Sequence, residues 1–476
     1  MSAGPGAVAP PAGTLGAPWA RTVVRCDDGA LRVGGVDVRA LAAAVGTPAF
    51  VVDEADLRAR ARAFRLAFAA AFTDVGGAAD VYYASKAFLC TAVARWVHEE
   101  GLSLDVASGG ELAVALAGGV PAASIGVHGN NKSDAEIEQA LAAGVGRVVV
   151  DSLDEVDRVA AAAARLGVVA PVMVRVTTGV HAHTHEYIST AHEDQKFGLS
   201  LAGGQAEAAI DRVLARPELA LRGLHSHIGS QILDVAGFEA AARKLLELRK
   251  RVGMRDRGVL MDELDLGGGF GIAYLGGEDV PSVESVAFGL AGVVRRACEE
   301  LRTPPPHVSV EPGRAVVGPS TFTLYTVGTV KTVATGDDET PHRTYVAVDG
   351  GMSDNIRTAL YGAEYTAVLA GRDSAAPPVR SRVVGKHCES GDVVVRDVDL
   401  PGDVHAGDLL AVPATGAYGR SMASQYNLVP RPPVVSVRDG VVRELLRRET
   451  VEDLLALDAG PAGRAVAVQT GPPAAP

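Results

Sequence analysis

"DVYYASKAF", residues 80–88, is the stretch on which the fold turns. It runs apolar and aromatic through Tyr83 and Ala84, then meets Lys86, an ammonium that is costly to take out of water. Seven further strand-like runs follow: "LSLDVASGG" (102–110), "SIGVHGNNK" (124–132), "RVVVDS" (147–152), "PVMVRVTTG" (171–179), "LRGLHSHIGSQ" (221–231), "DELDLGGGFG" (262–271) and "HVSVEPGR" (307–314). Alanine- and leucine-rich helical stretches separate them. One is "DEVDRVAAAAARLG", in which Asp154 is expected to cap the helix and Gly167 to end it. Strands that alternate with helices pair in parallel, and eight such units close into a (β/α)8 barrel of about 250 residues.

After residue 315 the pattern changes. "TFTLYTVGTVKTVATG", "RTYVAVDGG", "VRSRVVGKHC", "GDVVVRDVDLPG", "GDLLAVPATGAYG" and "PPVVSVRDGVVREL" are strand-like and broken by glycine and Asp-Gly turns. The expected fold class is α/β plus all-β: a (β/α)8 barrel over 46–315 and a second, β-rich domain over 316–458. Residues 21–45 read as strands joining that β-domain, and 1–20 and 459–476, rich in proline, glycine and alanine, read as flexible tails.

The chain has 476 residues, 47% of them hydrophobic and 21% charged, an ordinary globular mixture. Its formal net charge is -12 with no basic stripe, which removes the electrostatic case for nucleic acid or an anionic membrane. Cys26, Cys90, Cys298 and Cys388 are far apart with no CxxC spacing, which disfavours a zinc framework or disulfides and fits a reducing cytoplasm. The first twenty residues make a poor signal peptide, and no apolar run reaches the length of a membrane span.

Barrel active sites lie at the C-terminal ends of the strands. Reading off those ends gives Lys86, Asp105 with Ser108, His128 with Asn130, Arg175, His227 with Ser230, Gly267 to Gly269, and Glu311 with Arg314. A lone lysine at a strand end usually snorkels to water. In this company Lys86 can instead lose its proton in a low-dielectric mouth and form a Schiff base with an aldehyde cofactor, pyridoxal phosphate. Gly267, Gly268 and Gly269 let backbone N–H groups approach a phosphate beside Ser230 and Arg314, though a glycine-rich turn alone is common. Glu311 is placed to keep the pyridine nitrogen protonated, and His227 to stack on the ring.

In order along the chain, "YYASKAF", "LDVASGGE", "HGNNK", "HAHTHEYIST", "KFGL", "GLHSHIGSQ", "GGGFG", "EPGR", "DGGMSDNIRTALYGA", "KHCESGD" and "TGAYGRSMASQYN" cover residues 80 to 427. Together they resemble the alanine-racemase-like, fold-type III decarboxylases that use pyridoxal phosphate, and among these the branch acting on meso-2,6-diaminopimelate. The resemblance implies that Lys86 is the Schiff-base lysine and that Asp105, His227, Ser230, Gly267, Gly268, Gly269, Glu311, Arg314 and Tyr418 hold the cofactor. It further implies that Arg314, Arg357, Tyr361, Glu389 and Tyr418 meet the substrate. Cys388 would donate a proton, reaching with Glu389 into a neighbouring subunit's site, so a homodimer with shared active sites is the expected unit. The product would be L-lysine.

The rival enzyme is a decarboxylase of ornithine, arginine or a carboxylated polyamine. Arg357 argues against a simple diamine precursor, which would leave a buried guanidinium unpaired. A non-catalytic pyridoxal phosphate-binding protein resembles the barrel alone, and an alanine racemase lacks "KHCESGD". His181, His183 and His185 alternate as metal ligands can, but the same string belongs to a loop in the resembling family, so no metal is expected.

Overall fold

The computed structural model describes residues 13–180, 196–256, 261–336, 342–464 and 466. Eight parallel strands, Ala78–Ala84, Ser103–Val106, Ile125–Val127, Arg147–Val150, Ala170–Thr177, Leu219–His225, Glu263–Asp265 and His307–Val310, form the barrel. Each overlaps a run read as a strand, three of them starting one or two residues earlier, at Ala78, Ala170 and Leu219. The eighth strand pairs with the first, Val310 opposite Val81, and closes the ring. Val148, Val172, Leu224, Leu264 and Val308 are buried within it, as expected for strands covered on both faces.

The helix Leu153–Leu166 shows how local chemistry sets the boundaries. Its N-cap is Ser152, not Asp154: the serine Oγ accepts from Glu155 N at 3.1 Å. Asp154 instead lies in the first turn, where its charge favours the helix dipole. Gly167 ends the helix in the left-handed region at φ 66°, as its sequence position suggests.

The second domain is built on the long strand Thr321–Ala334. Its first half pairs antiparallel with Ala49–Asp53 and Leu409–Val412, and its second half with His342–Val348. Pro378–Val384, Val393–Pro401, Val434–Arg438 and Val441–Leu446 extend the sheet on either side. Two expectations need correction. Residues 49–53, assigned to the barrel, are a strand of the β-domain; "AFVVD" is buried throughout, so it carries no alternation that could name its sheet. Nor are residues 13–20 a loose tail: Trp19 and Ala20 are buried, and the Trp19 ring lies 6.0 Å from that of Phe322.

Residues 24–37 form their own three-stranded antiparallel sheet, followed by the helix Val38–Val45. It docks on the β-domain through Val23, Leu31, Val33 and Leu41, packed with Val51, Leu324 and Val437. A backbone bond from Leu31 N to Ala370 O, 2.8 Å, ties the two together. Among the described residues no helix is long and apolar enough to cross a membrane.

Because Trp19 fastens this N-terminal unit to the β-domain, Trp19→Ala is expected to cost about 3 kcal/mol. Chemical denaturation followed by circular dichroism measures it.

Candidate active site

The first barrel strand ends at Ala84, and a single 3-10 turn, Ser85–Ala87, carries Lys86 over the barrel mouth. The turn is clamped by the β-domain: Ala87 O accepts from Tyr418 N and from Ser421 Oγ, both at 2.8 Å. Two cavities of about 250 Å³ each meet here, sharing Ala84, Lys86, His227 and Glu311 in their walls. One extends to Ser230, Gly268, Gly269, Arg314, Arg357, Tyr361 and Tyr418, the other to Asp105, His128 and Arg175. Lys86 is exposed rather than desolvated, because it stands in the mouth and not in the barrel wall.

Glu311 follows the eighth strand and is buried. Its Oε1 lies 2.9 Å from His225 Nε2 and 3.3 Å from His128 Nε2. Burial would push its carboxyl up, but the imidazoles of His128 and His225 overcome this and hold it well below the usual carboxylate range. Asp105, 3.2 Å from His128 Nε2, goes the other way, raised by burial and by the charge of Glu311. The two carboxyls that share the mouth are thus shifted in opposite directions. Burial also lowers His128, to about 3, and lowers His227 with help from Lys86 and Arg175.

Beneath this layer sits Arg147, 2% exposed, inside the barrel. It donates to Ser309 Oγ at 2.9 Å and to Asp265 Oδ2 at 2.6 Å, and its guanidinium lies 3.6 Å over the Tyr82 ring.

The glycine turn approaches its neighbours more closely than any side chain allows. A Cβ on Gly268 would meet Glu311 O at 2.3 Å, and one on Gly269, at φ 99°, would meet Gly229 O at 2.4 Å. Gly267 N donates to Asp265 Oδ1 (2.7 Å) and Gly268 N to His227 Nδ1 (3.1 Å). Those two glycines therefore hold the turn and His227 in place, and an anion in the cavity meets the turn at Gly269. Ser230 Oγ accepts from Arg314 Nη2 at 2.8 Å close by.

Arg357 and Arg314 both donate to Tyr274 Oη, Arg357 at 2.8 Å, and Arg357 also donates to Tyr365 Oη at 2.5 Å. Two guanidinium groups and the glycine turn at one end, and an amine beside a carboxylate at the other, match the phosphate, aldehyde and ring nitrogen of pyridoxal phosphate. The residues present fit the cofactor.

Cys388 and Glu389 are exposed and absent from both cavity walls. Their loop is nonetheless firmly held: His387 N donates to Asp392 Oδ2 (2.8 Å), and His387 Nε2 lies 2.8 Å from Ser353 Oγ. His181, His183 and His185 lie outside the described residues. Sequence reasoning assigned no role to His225, Arg147, Tyr274 or Tyr365.

Barrel, β-domain and mouth together place the chain among the barrel-type pyridoxal-dependent decarboxylases, and residues 54–318 match the family described as "Pyridoxal-dependent decarboxylase, pyridoxal binding domain". Diaminopimelate decarboxylase of Mycobacterium tuberculosis (strain ATCC 25618 / H37Rv) is 53% identical over 443 residues, 92% of this chain and 97% of that relative. The Bacillus subtilis (strain 168) enzyme of the same name is 46% identical over 432 residues, 90% and 95% of the two chains. The crystal structure of diaminopimelate decarboxylase from M. jannaschii in complex with L-lysine superposes with a TM-score of 0.85 at 32% identity, covering 93% of this chain and 99% of that one. The chain belongs to the diaminopimelate decarboxylase family.

Replacing Arg147 by methionine leaves Asp105 and Asp265 without their buried cation, and is expected to cost about 3 kcal/mol of stability at neutral pH. The deficit shrinks as pH falls, because protonating Asp105, whose carboxyl is raised by burial and by the charge of Glu311, removes a charge that lost its partner. Denaturation midpoints of wild type and variant across pH check both points.

Proposed function

We propose that Lys86, His227, Glu311, Arg314 and Arg357 of one copy, with Cys388 and Glu389 of a second, carry out the pyridoxal phosphate-dependent decarboxylation of meso-2,6-diaminopimelate to L-lysine and carbon dioxide. The observation that carries this reading is the meeting of two cavities at Lys86, His227 and Glu311, with the guanidinium groups of Arg314 and Arg357 at one end. When bound, pyridoxal phosphate supplies an aldehyde carbon that condenses with amines and a ring that takes up the electrons freed as carbon dioxide departs.

Lys86 offers the amine that holds the cofactor between turnovers and gives way to the substrate's amine. Glu311 keeps a negative charge in the cavity wall, which favours a protonated ring nitrogen. His227 presents a neutral imidazole, its Nδ1 held by Gly268 N, to stack on the cofactor ring. Ser230, Gly269 and Arg314 supply donors for a phosphate, with the Tyr418 ring 5.0 Å from the Arg314 guanidinium. Arg357, beside Tyr361, takes the carboxylate that the substrate retains.

Cys388 protonates the carbon that has lost carbon dioxide, and Glu389 takes the distal ammonium. Both are exposed on a well-held loop and line neither cavity of their own chain, which supports the homodimer with shared sites. Four unpaired thiols support a cytoplasmic location.

Shared sites make a direct prediction. Lys86→Ala and Cys388→Ala homodimers are each expected to lose activity by about a hundredfold or more. Mixing and reassociating them in equal amounts rebuilds one intact site in each heterodimer and restores roughly a quarter of the wild-type rate. Failure of the mixture to gain activity over its parents contradicts the shared site.

A further inference from the structure

Arg357 opens the helix Arg357–Tyr361 and is buried in the wall of the cavity that holds Lys86. One terminal nitrogen, Nη1, donates to both Tyr274 Oη and Tyr365 Oη, at 2.8 and 2.5 Å. The two phenol rings stand edge to face, 5.2 Å apart, at 82°. Arg357 Nε, by contrast, is buried and has no acceptor among the described residues.

A guanidinium grips a carboxylate with two parallel N–H groups, along either the Nη1–Nη2 edge or the Nε–Nη2 edge. Two phenol oxygens take Nη1 and the protein covers Nε, so Nη2 is the nitrogen left to meet a ligand. We propose that Tyr274 and Tyr365 are positioning residues for substrate specificity, holding Nη1 of Arg357 and so aiming Nη2 at the carboxylate that the substrate keeps. This rests on the reading of Arg357 as the carboxylate ligand and adds the residues that aim it.

The chemistry of the two partners matters. A carboxylate in either place would orient the arginine but cancel its charge. A phenol orients it and leaves the positive charge for the ligand. Burial pushes the Tyr365 phenol up to about 12, with Arg357 opposing, so its oxygen remains a neutral acceptor. Tyr274 also accepts from Arg314, which links the carboxylate end of the cavity to the phosphate end. The ligand class selected is an α-amino acid at the distal end, not a diamine, since a diamine offers the Arg357 guanidinium no anion to pair with.

The test is steady-state kinetics of the holoenzyme with meso-2,6-diaminopimelate. L-lysine and 1,5-diaminopentane, which is lysine without its carboxylate, serve as competitive inhibitors. Tyr365→Phe is expected to raise KM and the L-lysine inhibition constant by about tenfold, to lower kcat by less than about threefold, and to change the diaminopentane constant by less than about twofold. Tyr274→Phe follows the same pattern and decides the matter if Tyr365→Phe loses the wild-type circular dichroism spectrum.

Equal weakening of both inhibitors, a fall in kcat at constant KM, or no change in either variant overturns the proposal. Arg357→Lys separates the two claims. If it leaves KM and L-lysine inhibition unchanged, the carboxylate assignment itself fails. If it raises them and the tyrosine variants do not, only the role of the tyrosines fails.

Discussion

Everything at the mouth depends on the ladder that closes the barrel. Val310 pairs with Val81, and the residues that follow, Glu311 on one strand and Lys86 on the other, are delivered to the same cavity. The neighbouring registers do the same on either side: Ala84 opposite Asp105, His225 opposite both Arg175 and Asp265. A slip of one residue in any of these ladders would turn the side chains to the other face. Backbone pairing, not contacts among the reactive groups, therefore sets where the chemistry stands.

That placement concentrates charge, and the barrel answers it in layers. Arg147 sits below and pairs with Asp265, while His128 lies between Asp105 and Glu311 and His225 against Glu311. The layering pushes two buried carboxyls in opposite directions, and favours the negative charge on the one that borders both cavities. Above, the β-domain contributes Tyr418, Arg357 and Tyr365, and Tyr274 meets them from the loop after the seventh barrel strand, so the cavity is roofed by residues far apart in sequence. The fold thus builds its cofactor floor from the barrel and its substrate wall largely from the other domain.

Much of this was legible in the amino-acid sequence because strand ends in a parallel barrel share one mouth. Lys86, Asp105, His227 and Glu311 were found that way, and the structure brings all four to the walls of the two cavities. His225 went unassigned although it lies two residues before His227, because alternation was read for burial and not for a second imidazole. Tyr274 and Tyr365 left no local signal: Tyr274 meets Arg357 across 83 residues, a contact that only the tertiary fold creates. Ala49–Asp53 was misplaced because a strand buried on both faces reads alike in a barrel and in a sandwich. Lys86, expected to be desolvated, is exposed in the mouth, because the residue before a cavity and the residue inside a wall look the same in sequence.

The central claim is that one amine, at the end of the first barrel strand, is the covalent anchor for pyridoxal phosphate. Reducing the holoprotein with borohydride, digesting it and sequencing the pyridoxyl-bearing peptide by mass spectrometry tests this directly. The account predicts that the label falls on Lys86 within "YYASKAF". A label on any other lysine, or none after full cofactor loading, would contradict it.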